Sequence, residues 1–139
     1  MRLEISSALL AGLLAEVRAT PDREICGLLF GTTYRIEAAA ACANVAPAPA
    51  RAFEIDPVAL FAAHRRARAG GPAVIGHYHS HPSGRAEPSA TDAASAMGDG
   101  AVWLILAGHE ARAWRTARAG AFEGVALVTT SSSSGPSSG

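Results

Sequence analysis

Lysine is missing altogether: all twelve basic side chains are arginine, and twelve acidic residues cancel them to a formal net charge of zero. Without a positive excess there is no electrostatic footprint for nucleic acid or for an anionic membrane surface. Arg65, Arg66 and Arg68 form the one dense basic cluster, read as the solvated end of a helix and partners of its dipole. Cysteine is scarce as well. Cys26 and Cys42 make neither a CxxC pair nor a zinc knuckle, which excludes a disulfide framework and leaves two reduced, buried thiols in a cytoplasmic protein. No apolar run approaches the ~20 residues of a membrane span. The leucine-rich start, MRLEISSALLAGLLAEVRAT, is broken by Glu16 and Arg18 and reads as an amphipathic helix, not a signal peptide.

What is present is a folding composition, 49% hydrophobic and 17% charged over 139 residues, enough for one domain with one core. That domain is expected over residues 1–130. The remainder, 131–139, is SSSSGPSSG, a low-complexity stretch read as an added, disordered linker. Ser6 or Ser7 can cap a helix whose apolar positions are Leu9, Leu10, Leu13, Leu14 and Val17. Asp56-Pro57 starts a second helix that stops at Gly70-Gly71. A third begins around Ser89 and runs to about Met97. Strands are expected at 25–30, 34–42, 73–79, 101–106, 111–116 and 122–128, the 101–106 and 111–116 pair forming a hairpin about Ala107-Gly108-His109-Glu110. Helices interleaved with a central sheet give a single-domain α/β sandwich, a mainly antiparallel mixed sheet flanked by helices, in which strand ends and helix starts meet in one cleft.

The chemistry is concentrated between Gly76 and Asp92, in GHYHSHPSGRAEPSATD. His79-Ser80-His81, seven further residues, Ser89, two more, and Asp92 suit a catalytic zinc site with three protein ligands and an open position for water. Glu24, in PDREICGLLFG, is a candidate base. In a strand of period two, His77 and His79 share a face, and His81 would join them only if the strand continued past Pro82. Two ligand sets therefore compete, His77 and His79 with another group, or His79, His81 and Asp92, and spacing alone does not choose. Ser89-x-x-Asp92 also has a bland reading as a capping box, compatible with facing a cleft. Cys26 is read as core, Trp103 and Trp114 as core or hairpin aromatics, and His64 and His109 as surface residues.

The pattern formed by Glu24, His79-Ser80-His81-Pro82, Ser89 and Asp92 resembles the JAMM (MPN+) zinc metalloprotease family, in its small, stand-alone prokaryotic form. The flanks resemble it too: Cys26-Gly27-Leu28-Leu29 with Gly31, then Phe53-Glu54-Ile55-Asp56-Pro57, then Gly76. The resemblance extends over residues 1–128. His77 departs from it, standing where members often carry a large aromatic side chain. The resemblance implies an MPN/JAMM-like, cytidine-deaminase-like fold and one Zn2+ per chain held by His79, His81 and Asp92. It implies that Glu24 takes a proton from the attacking water and passes it to the leaving amine, and that Ser89 donates a hydrogen bond to the developing oxyanion. His77 is expected either as a packed strand histidine or as a support behind the ligands, and Ser80 as a support behind them.

By the same resemblance the activity is hydrolysis of an amide bond after the C-terminal Gly-Gly of a ubiquitin-like protein, a sulfur carrier, which is then the one partner expected. Nucleic acid and membrane are not expected as partners. The sequence leaves the oligomeric state open, a dimer included. Two other readings remain: a zinc hydrolase of small amides, and a non-catalytic MPN scaffold.

Overall fold

A computed structural model describes residues 2–82 and 84–131; the expected linker lies outside the described residues except for its first serine. The chain begins with a short strand, β1 (Arg2–Ser6), in which Leu3 and Ile5 alternate into the core. Ser6 then caps α1 (Ser7–Ala19), its hydroxyl accepting the Leu9 N–H at 3.1 Å. Next come β2 (Cys26–Thr32), β3 (Arg35–Cys42), α2 (Pro57–Arg68), β4 (Val74–Ser80), α3 (Ala90–Ser95), β5 (Val102–Ala107), β6 (Glu110–Arg118) and β7 (Ala121–Thr130). The caps at Asp56 and Ser89 stand where the sequence sets them, because an Asp or Ser oxygen there satisfies an otherwise unpaired helix N–H.

The sheet differs from the expected sandwich. Its strands close in the order β1-β3-β2-β4-β5-β6-β7, with β1 bonded to both β3 and β7. Four pairings are antiparallel and three parallel, so the sheet is mixed and mainly antiparallel. Closure rests on the first strand, whose five residues lie inside the stretch read as the lead-in to a helix. Among the described residues no helix is long and apolar enough to cross a membrane.

Two apolar layers follow from the period-two alternation of the strands. Leu29, Tyr78, Leu104 and Leu106 pack with Leu3, Ile5 and Ile36 against Leu13 and Val17 of α1. On the opposite face Leu28 and Phe30 pack against Ala63 and Leu60 of α2. The register sets Cys26 across from His79 and Leu28 across from His77, so both histidines share the α2 face. Gly27 lies between, and a Cβ there would come within 2.3 Å of the Tyr78 ring and 2.4 Å of the Ala40 carbonyl oxygen.

Candidate metal centre

Five of the buried polar side chains among the described residues come from the sequence motif: Glu24, His79, Ser80, His81 and Asp92; Thr116 is the sixth. Burying so many polar groups together costs free energy unless they serve one another or a ligand. β4 delivers His79 at its end and the chain then turns out of the sheet, so His81 approaches from the loop. Asp92 arrives from the first turn of α3. There the capping box is complete, with the Ser89 N–H donating to Asp92 Oδ2 at 2.9 Å and the Asp92 N–H to Ser89 Oγ at 3.1 Å. The bland reading of Ser89 and Asp92 therefore holds, and it fixes the Asp92 carboxylate toward the histidines.

The donors converge. His79 Nε2 lies 3.1 Å from His81 Nε2, and Asp92 oxygens lie 3.2 Å from the first and 3.1 Å from the second. A tetrahedral zinc with bonds of about 2.0–2.1 Å separates its ligand atoms by about 3.3 Å, so the spacing suits such an ion. The His81 tautomer suits it as well: Nδ1 donates to the Arg85 carbonyl at 2.8 Å, leaving a lone pair on Nε2. Donor atoms of Glu24, His79 and His81 also lie within 4.8 Å of one another, and Glu24 Oε1 and His79 Nδ1 are buried without a hydrogen-bond partner. This chemistry, two imidazoles, a carboxylate and a nearby unpartnered carboxylate oxygen, is that of a site for a zinc-type cation.

Electrostatics separate the two carboxylates. Burial pushes the Glu24 carboxyl up to about 7, with His81 opposing and Asp92 adding to the rise. For Asp92, burial is outweighed by the hydrogen bonds with His79 and His81, which hold its carboxyl far below the usual range. Burial lowers His79. In His81 burial is overcome by Asp92, the Arg85 carbonyl and Glu24, so its pKa rises. Asp92 is thus held toward its charged form, and Glu24 can exchange a proton near neutrality.

Ser80 and His77, next to the metal donors in sequence, have different surroundings. The Ser80 hydroxyl accepts the Ile25 N–H at 2.9 Å, so it ties β4 to the segment that carries Glu24 and touches no metal donor. His77 lies in an aromatic layer, 4.4 Å from the Trp103 ring and 5.1 Å from Phe53, with Nε2 buried and unpartnered. Burial, with His79 adding to it, drops its pKa to about 3, so it stays neutral. It holds no ligand through a hydrogen bond. Phe53, noticed in the sequence only as a flank, stacks on the His79 ring at 4.2 Å and 17°. Asn44, in the stretch between β3 and α2, donates to the Glu24 carbonyl at 2.9 Å. The sequence does carry a faint mark of it, an Asn at the mouth of a proline-rich loop where an Asx turn is favoured; Asn44 Oδ1 accepts the Ala46 N–H.

A cleft of about 200 Å³ opens on the cluster, lined by Glu24, Ala50, Arg51, His81, Pro82, Ser89 and Thr91. Because Ser89 Oγ accepts from the Asp92 amide, its proton is left to donate to an acceptor in that cleft. A larger cavity of about 480 Å³ runs beside the start of β4 and meets the site only through His77.

A family model described as the prokaryotic homologs of the JAB domain matches residues 6–117. A curated relative from Haloferax volcanii, named desampylase, is 38% identical over 87 residues, 61% of this chain and 63% of that protein. Another, from Thermus thermophilus, bears the name "Probable TtuB-protein conjugate cleaving protease" and is 39% identical over 85 residues, 58% of this chain and 57% of its own length. The matches thus span less than two thirds of each relative. A Desulfitobacterium hafniense protein solved in solution superposes with a TM-score of 0.79 at 23% identity over 93% of both chains, a likeness of fold.

Proposed function

The chain belongs to the family of prokaryotic homologs of the JAB domain, and on that premise we propose that it is a zinc-dependent isopeptidase, hydrolysing the amide bond after the C-terminal Gly-Gly of a ubiquitin-like, sulfur-carrier protein. The observation that carries the reading is the convergence of His79 Nε2, His81 Nε2 and an Asp92 oxygen within 3.1–3.3 Å, beside a buried carboxylate with an unpartnered oxygen. The names of the two curated relatives support a protein conjugate as substrate. The reading assigns the domain to residues 1–130 and the protein to the cytoplasm.

In this reading His79, His81 and Asp92 hold one zinc ion per chain. When bound, zinc supplies Lewis acidity, which makes water a usable nucleophile near neutral pH and polarises a carbonyl. The chain does the rest. Asp92 stays charged and balances the cation, while the Arg85 carbonyl keeps the His81 tautomer that leaves Nε2 free. Glu24, with its carboxyl raised to about 7, takes the proton of the attacking water and returns it to the departing amine. Ser89 donates its hydroxyl proton to the oxygen on which negative charge develops. Arg51 lines the same cleft as Glu24, His81 and Ser89.

The test is to incubate the metal-loaded protein with a Gly-Gly-ended carrier conjugated through that glycine, following intact mass and measuring bound metal. Release immediately after the second glycine is expected, with Glu24→Gln binding metal equally but turning over ~10²–10⁴-fold more slowly. Stoichiometric metal with the conjugate left intact would sink the carrier assignment. Absence of both metal binding and cleavage would sink the enzyme reading.

A further inference from the structure

Glu24 precedes β2 and so takes no part in the sheet ladder, yet its carboxylate must be held close to two histidines from another element. Its Oε1 has no partner, so the main chain, not a side-chain bond at that oxygen, sets its position. That main chain is gripped on both sides. The Glu24 N–H donates to the Pro49 carbonyl at 2.7 Å, and the Glu24 carbonyl accepts from Asn44 Nδ2 at 2.9 Å. Both grips come from the loop between β3 and α2.

Asn44 is what gives this loop its shape. Its Nδ2 also donates to the Ala52 carbonyl at 3.1 Å, and its Oδ1 accepts the N–H groups of Ala46 and Glu54, both at 3.0 Å. Both donor hydrogens and both lone pairs are thereby engaged. The amide orientation is fixed, because a flip would set its NH2 against two N–H groups and its oxygen against two carbonyls. Asn44 also pairs with Ile55 in a two-residue antiparallel bridge, and the loop so closed lays Phe53 on the His79 ring. One side chain therefore links the backbone of Glu24 to the segment stacked on His79.

We propose that Asn44 is a positioning residue for the hydrolytic reaction: its amide fixes the backbone at Glu24 and the loop over His79 as one unit, and so sets the base relative to the metal-binding histidines. This rests on the proposed function, since it gives Glu24 the role of base. A misplacement of about 1 Å at a reacting group can cost ~10²-fold in rate. Tm and bound metal are read alongside, because Asn44 is not a metal donor and meets Glu24 only through its backbone carbonyl.

The experiment compares metal-loaded wild type, Asn44→Asp, Asn44→Ala and Glu24→Gln by steady-state cleavage of the carrier conjugate and by amide hydrogen exchange. Asn44→Asp keeps the two acceptor bonds and sets a carboxylate oxygen against the Glu24 and Ala52 carbonyls in place of the donors, so it breaks the grip even if Asn44→Ala fails to fold. For Asn44→Asp, kcat is expected to fall ~10–100-fold with KM within about twofold. Exchange at the Glu24 amide should quicken about tenfold or more, with the Leu28 and Leu29 amides of β2 unchanged and metal still bound one per chain. Unchanged kcat with Glu24→Gln inactive overturns the positioning role and leaves the proposed function intact. Equal loss of exchange protection across β2 overturns it too, as plain destabilisation. An active Glu24→Gln overturns both, since there is then no base to position.

Discussion

At the scale of single residues, the raised Glu24 carboxyl gives a pH signature. The base must be ionised, so kcat/KM should show an acid limb, lying below the metal-free value of about 7 because a bound cation favours the charged carboxylate, and this limb should be absent from the residual activity of Glu24→Gln. Stability runs the other way. With its folded pKa lifted from 4.5 to about 7, Glu24 contributes stability that is complete below about pH 4.5 and lost as pH rises through about 7, on the order of 2–3 kcal/mol in the metal-free protein. Urea titrations at pH 5 and 8 should show metal-free wild type losing more stability over that interval than metal-free Glu24→Gln; equal losses would contradict the burial of this carboxylate. Ser89→Ala removes two functions at once, with about 1 kcal/mol lost from the α3 cap and kcat reduced ~10²–10³-fold if the hydroxyl meets the oxyanion. Denaturation and kinetics on that one variant separate them. These side chains were legible because Ser89 and Asp92 are local and His79 and His81 lie two residues apart, with the family resemblance choosing His81 over His77. Asn44 was not, because its local bond to the Ala46 N–H marks only a turn, while its grip on the Glu24 carbonyl, twenty residues upstream, forms only on folding.

At the scale of elements, the strands and helices that alternate or carry caps were readable: Leu9 to Val17 on one helical stripe, Asp56-Pro57, and the apolar run into His79. β1 was not. Arg2–Ser6 shows Leu3 and Ile5 alternating, but five residues beside a strong helix start give little signal, and what makes them a strand is their pairing with β7, more than a hundred residues later. The meeting of β2 with β4 depends on a missing side chain. Gly27→Ala would drive a methyl into the Tyr78 ring and the Ala40 carbonyl, and overpacking of this kind costs ~1–3 kcal/mol. A urea midpoint unchanged from wild type would show that β2 and β3 can part without penalty. Because Gly27 lies between the Cys26 and Leu28 positions that face His79 and His77, the variant should also loosen metal binding.

At the scale of the whole molecule, the family resemblance carried the fold type, but the closing of the sheet was not visible in any local pattern. It depends on β1 joining β3 to β7, by two registered pairs on one side and five on the other. Removing residues 1–6 should leave residues 126–130 of β7 without their β1 partner, and an exposed strand edge invites intermolecular pairing. Size-exclusion chromatography of the truncated protein should show association or loss of soluble material, where the full chain elutes as a discrete species. The pairing has a further, mechanical consequence. β1 and β7 are parallel, with Arg2 beside Ala126 and Ser6 beside Thr130, so tension applied between the two ends of the chain would pull these strands lengthwise past one another. Such a load falls on all five registered pairs together and cannot peel them one by one, which makes the seam that joins first strand to last a clasp against stretching.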